Sequence, residues 1–213
     1  MYFLMLDTET TNSIEEPLCY DIGFSVVDEK GHTYETFSFV VADIFLDKEM
    51  MENAYFKEKI HQYWEDIKSG KRKLTSFTNI LFCVRNVMKE YDTKYVVAHN
   101  ARFDYLSTNL TQRFLTKSKY RFFFPYGTIF LDTLKMSREV FGNDKDYINF
   151  CKENGFCTKY HQPRFTAEIL YRFLTNEIDF VESHTGLEDT LIESQIFAEC
   201  LKRKPNIDGR LWA

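Results

Sequence analysis

Asp7 and Glu9 stand at the end of an uninterrupted apolar run covering residues 2 to 6. Such a run reads as a strand buried on both faces, and a spacing of two puts both carboxylates on the same side of it. Adjacent carboxylates leaving a buried strand repel each other and lose hydration unless something positive lies between them, and a divalent cation is the economical answer. The Asp-x-Glu pattern recurs at Asp47 and Glu49, so the spacing alone selects neither copy. Asp47 and Glu49 open a charged stretch, where acids simply suit the start of a surface helix. For Asp7 and Glu9 the plainer alternative is a turn-capping aspartate beside an exposed glutamate.

A second pattern, His-x-x-x-x-Asp, occurs at His61/Asp66, His99/Asp104 and His184/Asp189. His61 and Asp66 fall inside one expected helix, where a separation of five turns them to different faces. His99 and Asp104 follow the short apolar strand Tyr95 to Ala98 and open a helix, at the edge where open sheets bind ligands. His184 precedes Thr185-Gly186-Leu187-Glu188, which reads as a capping box with Thr185 as N-cap and Glu188 as its partner. The histidine therefore lies outside the helix and is free to swing toward its first turn. Asp189 shares a helix face with Ile192 and Ile196, which aims its carboxylate inward. Taken singly, Asp104 and Asp189 also read as ordinary helix-start acids.

The elements that must hold these groups are strands at residues 2 to 6, 19 to 28 and 34 to 41, which form an antiparallel meander. Helical stretches follow at 48 to 69 and 76 to 91, then the Tyr95 strand, a helix with Phe103, Leu106, Leu110 and Phe114 on one stripe, and a strand at Ile129 to Leu131. Three strands followed by alternating strand and helix predict a single α/β domain over residues 1–213, a mixed sheet covered by helices. No apolar run approaches a membrane span. The five cysteines form no C-x-x-C pair, and their odd number points to reduced thiols in a cytoplasm. Cys151, Cys157 and His161 lack the fourth ligand that a structural zinc site needs.

A net charge of −5 argues against a broad basic face for long duplex. It permits an enzyme that holds only a strand end through cations in an acidic pocket. Basic clusters at Lys68, Lys71, Arg72 and Lys73, at Lys117, Lys119 and Arg121, and at Lys202, Arg203 and Lys204 read first as solvated loops, and second as phosphate trackers.

Asp7-Thr8-Glu9-Thr10-Thr11, His99-Asn100-Ala101-Arg102-Phe103-Asp104 and His184 with Asp189, in that order, together resemble the histidine branch of the DEDD 3′ to 5′ exonuclease superfamily, the group of DnaQ-like proofreading and related trimming enzymes. Asp132-Thr133-Leu134 after a strand is similar to the family's segment between the third and fourth acids. The resemblance covers roughly residues 2 to 202, and Thr185 in place of a tyrosine separates it from the tyrosine branch. Asn12 stands where the family often has glycine, and asparagine also tolerates a left-handed backbone. The resemblance implies an α/β ribonuclease H-like fold with a mixed five-stranded sheet. It implies that Asp7, Glu9, Asp104 and Asp189 hold two Mg²⁺ or Mn²⁺ ions, that His184 is the general base, and that Thr8, Thr10 and Asn100 contact the terminal nucleotide. The implied partner is the 3′ end of single-stranded nucleic acid, with a polymerase or another replication, repair or RNA-processing protein as a further candidate. The competing class is a silent nuclease fold used as a binding module, against which all these residues being present argues. No Walker-type loop or nucleophile elbow supports a small-substrate hydrolase or phosphotransferase.

Overall fold

The computed structural model describes residues 1–116 and 122–212. The strands are β1 (Tyr2–Thr11), β2 (Leu18–Asp28), β3 (Thr33–Val41), β4 (Lys73–Thr75), β5 (Tyr95–Ala98) and β6 (Ile129–Asp132). Between and after them run α1 (Ala42–Phe45), α2 (Lys48–Met51), α3 (Ile60–Ser69), α4 (Phe77–Glu90), α5 (Ala101–Leu115), α6 (Thr133–Phe141), α7 (Lys145–Glu153), α8 (Ala167–Thr175) and α9 (Gly186–Arg203). The sheet is six-stranded in the order β4-β3-β2-β1-β5-β6, one strand more than the five expected. The additional strand is β4, which pairs in parallel with the end of β3. Three residues carry too little alternation to announce a strand.

Two layers of helices cover the sheet. Leu4 and Leu6 point from β1 into the core built with α4, while Phe3 and Met5 point into the core built with Ile192, Ile196 and Phe197 of α9. Asp7 and Glu9 continue the odd-numbered series and so lie on the α9 side. They sit inside β1 and not beyond it, because pairing with β2 continues to Thr11 through a register shift between Glu9 and Thr10. On the other side β5 pairs only with Leu4 and Met5. β1 thus overruns its parallel neighbour, and the crevice past the end of β5 is where α5 begins. Asn12 ends the strand with φ 72°, the left-handed conformation expected of it.

The helix expected over residues 48 to 69 is broken into α2, a 3-10 turn at Lys57–Lys59 and α3. The amide of Tyr55 bonds to the Thr10 carbonyl at 3.4 Å, which draws the intervening chain out of a helical ladder and onto β1.

The start of α9 is fixed by a buried polar network, and Arg72 is its centre. Arg72 is 2% exposed and Asp21 is fully buried. The guanidinium reaches Asp21 Oδ2 at 3.5 Å, Asp66 Oδ2 at 2.9 Å and Glu188 Oε2 at 2.8 Å. Asp21 Oδ2 also accepts from Tyr63 Oη at 2.6 Å and from the Gly186 amide at 3.0 Å. Burial pushes the Glu188 carboxyl up, but hydrogen bonds from Lys71 and Arg72 bring it down to about 2. The capping box is altered accordingly: Thr185 Oγ1 donates to Glu188 Oε2 at 2.8 Å and accepts from no helix amide. Gly23 of β2 packs against Gly186, where an added Cβ would lie 2.0 Å from the Gly186 carbonyl carbon.

Arg72 is therefore a structural pin and not a phosphate tracker. Lys202, Arg203 and Lys204 are held in ion pairs with Glu199, Asp144 and Glu139, and Lys117, Lys119 and Arg121 lie outside the described residues. No helix among the described residues is long and apolar enough to cross a membrane. Replacing Arg72 by Met leaves Asp21 buried without its counter-charge and is expected to cost about 3–5 kcal/mol of stability, read from urea unfolding at neutral pH. A loss below about 1 kcal/mol would show that the network does not hold α9.

Candidate active site

Past the end of β5 a cleft of about 730 Å³ brings Asp7, Glu9, Asp104, His184, Asp189 and Glu193 onto one surface. Asp7 and Glu9 come from β1, Asp104 from the first turn of α5, and Asp189 from the first turn of α9. Thr8 faces the opposite side of β1, where its hydroxyl donates to Asp104 Oδ1 at 2.9 Å and lies 3.0 Å from Ser107 Oγ. This bond ties α5 to the central strand and fixes where the Asp104 carboxylate points. Asp189 is held by the Thr185 amide at 3.0 Å and by Ser183 Oγ at 3.2 Å.

Glu193 is a fifth acid that the sequence reading missed. It lies one helical turn beyond Asp189, is 3% exposed, and accepts the His99 amide at 3.2 Å. The signal was present in its spacing of four from Asp189, which places both on one face.

Burial sets the electrostatics of the cleft. It raises the Asp7 carboxyl well above its ordinary value, and Asp104 and Glu193 add to the shift. Glu9 is pushed up to about 9, first by burial and then by Asp21 and Asp189. Burial takes Asp104 to about 7 against the opposing Thr8 hydrogen bond, and burial with Glu182 takes Asp189 to about 8. Glu193 is raised by burial and then by Asp104 and Asp189. Among the described residues no lysine or arginine forms a hydrogen bond or ion pair with any of the five. Asp7 Oδ2 is buried with no hydrogen-bond partner among the described residues. Buried oxygens of one sign with an unsatisfied member are what a divalent cation would complete, and an oxygen-rich donor set suits a hard ion such as Mg²⁺ or Mn²⁺. The ligand atoms of Glu9, His184 and Asp189 lie within 4.8 Å of one another, as do those of Glu168, Glu182 and His184.

The histidines differ sharply. His99 has both ring nitrogens engaged, Nδ1 with Thr133 Oγ1 at 2.9 Å and Nε2 with the Phe165 carbonyl at 2.7 Å. His61 is exposed beside Glu65. His184 has its Nδ1 3.8 Å from Glu182 Oε2, beyond hydrogen-bond reach, and its side chain is 39% exposed. Burial, then the nearby Lys59 ammonium, holds its pKa below the ordinary histidine value. It is not free to swing: its backbone is left-handed at φ 46° and its ring stacks on Phe56.

Of the remaining expected contacts, Asn100 lines the cleft at the left-handed N-cap of α5, its amide donating to Asp132 Oδ1 at 3.0 Å. Thr10 is further along β1, where its carbonyl takes the Tyr55 amide. The cleft also contains Arg138 of α6 and Arg164 from the segment before α8.

This arrangement of sheet, crevice and helices is the ribonuclease H-like fold of known exonucleases. E. coli exonuclease I, in its zinc ion bound form with single-stranded DNA, superposes with a TM-score of 0.58 at 15% identity, over 96% of this chain and 41% of that one. The exonuclease I of Methylocaldum szegediense gives 0.56 at 13% identity, over 96% and 41%. S. pombe Pop2p, in an Mg²⁺ and Mn²⁺ bound form, gives 0.53 at 13% identity, over 97% and 86%. The chain thus spans less than half the length of the exonuclease I chains. No family model matches the sequence, and no curated protein matches it.

The raised carboxyls make the cation-free protein least stable where they ionise. Their folded pKa values exceed the unfolded ones near 4, so stability is greatest at low pH within the folded range and is lost as pH rises through about 7 to 9. Asp7→Asn removes a buried ionisable group whose folded pKa lies above its unfolded one and is expected to stabilise the cation-free protein at pH 8. The same substitution should abolish the rise in melting temperature that Mn²⁺ gives the wild type. Thermal melts with EDTA and with Mn²⁺ at pH 6 and pH 8 read both effects; an unstabilised Asp7→Asn that still responds to Mn²⁺ would place the cation elsewhere.

Proposed function

We propose that the chain is a metal-dependent 3′ to 5′ exonuclease of the histidine branch of the DEDD superfamily, acting on the 3′ ends of single-stranded nucleic acid. The observation that carries this reading is the convergence of Asp7, Glu9, Asp104 and Asp189 on one cleft with, among the described residues, no lysine or arginine bonded to them and no hydrogen-bond partner for Asp7 Oδ2. The solved exonucleases of the same fold, crystallised with single-stranded DNA or with Mg²⁺ and Mn²⁺, support it.

In this reading the four acids hold two Mg²⁺ or Mn²⁺ ions. When bound, such a pair stabilises the attacking and leaving oxygens of a phosphodiester and acidifies the attacking water. The residues of the chain do the rest. Thr8 and the Thr185 amide keep Asp104 and Asp189 oriented. His184 takes the proton of the attacking water, since imidazole is largely neutral near pH 7 and its pKa is lowered here. Arg138 and Arg164 face the same cleft and form no ion pair with an acid among the described residues, so their guanidinium groups are available to phosphates of the bound strand. Asn100 and the backbone near Thr8 and Thr10 contact the terminal nucleotide.

Polarity is tested with 5′-labelled single strands and Mg²⁺. Stepwise shortening that leaves the label on the longest products is expected, and a 3′-phosphate should block it. Early release of the 5′ label, or cutting of a circular strand, would overturn the assignment. His184→Ala is expected to bind Mn²⁺ and strand like the wild type while cleaving about 10²- to 10⁴-fold more slowly, because a proton acceptor and not a ligand is lost. Loss of Mn²⁺ binding in that variant would make His184 a ligand.

A further inference from the structure

His184 owes its position to a short segment that neither the acids nor α9 supplies. Its φ of 46° is a left-handed conformation, unfavourable for a non-glycine residue and in need of support from its surroundings. The support comes from residues 56 to 59, far away in sequence. The Phe56 ring lies parallel to the imidazole, with centroids 4.5 Å apart and planes at 11°. Lys59 Nζ donates to the Ser183 carbonyl and also to the His184 carbonyl at 3.4 Å. The same ammonium sits 4.8 Å from the centroid of Phe56, on which it forms a cation–π contact. One cation thus holds the strained backbone of the loop and the ring against which the imidazole lies. Neither ring nitrogen of His184 has a hydrogen-bond partner among the described residues, so the stack fixes the plane of the ring while leaving its nitrogens free for the reaction.

We propose that Phe56 and Lys59 are positioning residues that lock the proton-accepting histidine in its working orientation. The proposal rests on His184 being that acceptor. The stack replaces the hydrogen bond to a second group by which a catalytic imidazole is otherwise oriented. A face-to-face contact with a carbon ring constrains the plane and takes up neither ring nitrogen. The 3-10 turn Lys57–Lys59 provides the compact geometry that brings Phe56 and Lys59 to the same loop.

The test is a double-mutant cycle on single-strand cleavage with Mn²⁺. Phe56→Ala is expected to lower kcat by about 10²-fold, the scale of a misplacement near 1 Å, with KM and Mn²⁺ affinity unchanged. Phe56→Tyr keeps the ring and should retain the wild-type rate. In the His184→Ala background, Phe56→Ala should add nothing, because the group it positions is gone. Lys59→Met goes through the same cycle with the same expectation, and it serves if Phe56→Ala fails to fold. A further slowing of His184→Ala by either substitution overturns the lock alone, since the side chain then acts on the strand or on folding. A His184→Ala variant that cleaves at the wild-type rate removes the acceptor itself, and the lock falls with it.

Discussion

Carboxylates of one sign, buried together and bonded to no lysine or arginine among the described residues, are the constraint around which the chain is arranged. Asp7, Glu9, Asp104, Asp189 and Glu193 push one another apart, and each is held out of water. A frame that yielded would relieve the repulsion by opening the cleft. The frame does not yield, because each acid sits on a regular element that is itself tied to β1 or β2. Thr8 bonds Asp104 across the central strand, Asp21 receives the amide that begins α9, and the Gly23 and Gly186 backbones meet without an intervening side chain. Arg72 lies inside this frame, where it neutralises Asp21 and Glu188, and the Lys59 ammonium lowers the Glu9 pKa only in part against burial and its acidic neighbours.

The contrast between His99 and His184 follows from the same economy. Both precede a helix that carries one of the acids, and both belong to a His-x-x-x-x-Asp pattern. His99 is saturated by Thr133 and Phe165, and burial favours its neutral form, so it serves as a strut between β5, α6 and the segment before α8. The backbone amide of that same residue supports Glu193. His184 spends none of its ring atoms on structure and pays instead with a strained backbone. If His184 is the proton acceptor proposed above, it must keep a nitrogen unengaged, and its orientation then has to come from the ring faces or from the main chain.

Much of this was legible in the sequence wherever the deciding physics is local. The apolar run before Asp7 and the period of two gave the shared face of Asp7 and Glu9, and the helix face shared with Ile192 and Ile196 placed Asp189 inward. Reading ended where distant segments decide. The 48 to 69 stretch has helical spacing, yet the Tyr55 amide is claimed by Thr10, and no local signal announces that. Arg72 sits in a basic run that resembles solvated surface, and only the folded chain brings Asp21, Asp66 and Glu188 around it. Glu193 was readable in principle from its spacing, but a glutamate in mid-helix is ordinarily a solvent-facing residue.

Net charge and local charge carry different messages here. The chain is acidic overall, at −5, and among the described residues Lys71, Arg72, Lys202, Arg203 and Lys204 of its basic runs are occupied by ion pairs. Within the cleft the acids are concentrated at the β1 side, whereas Arg138 and Arg164 remain without acidic partners. Cations bound among the acids would turn that side from repulsive to attractive toward a phosphodiester, and the arginines already favour one. The strand and the cations would then be coupled ligands: cations bound among the acids lower the electrostatic cost of bringing in a phosphodiester, and by linkage the strand tightens their binding. Under the proposed function, such a cleft would favour a substrate that arrives with the ions and fits its end between acids and arginines. A cleft of about 730 Å³ matches a strand end in size, whereas the uniform charge of a long duplex would call for an extended basic face.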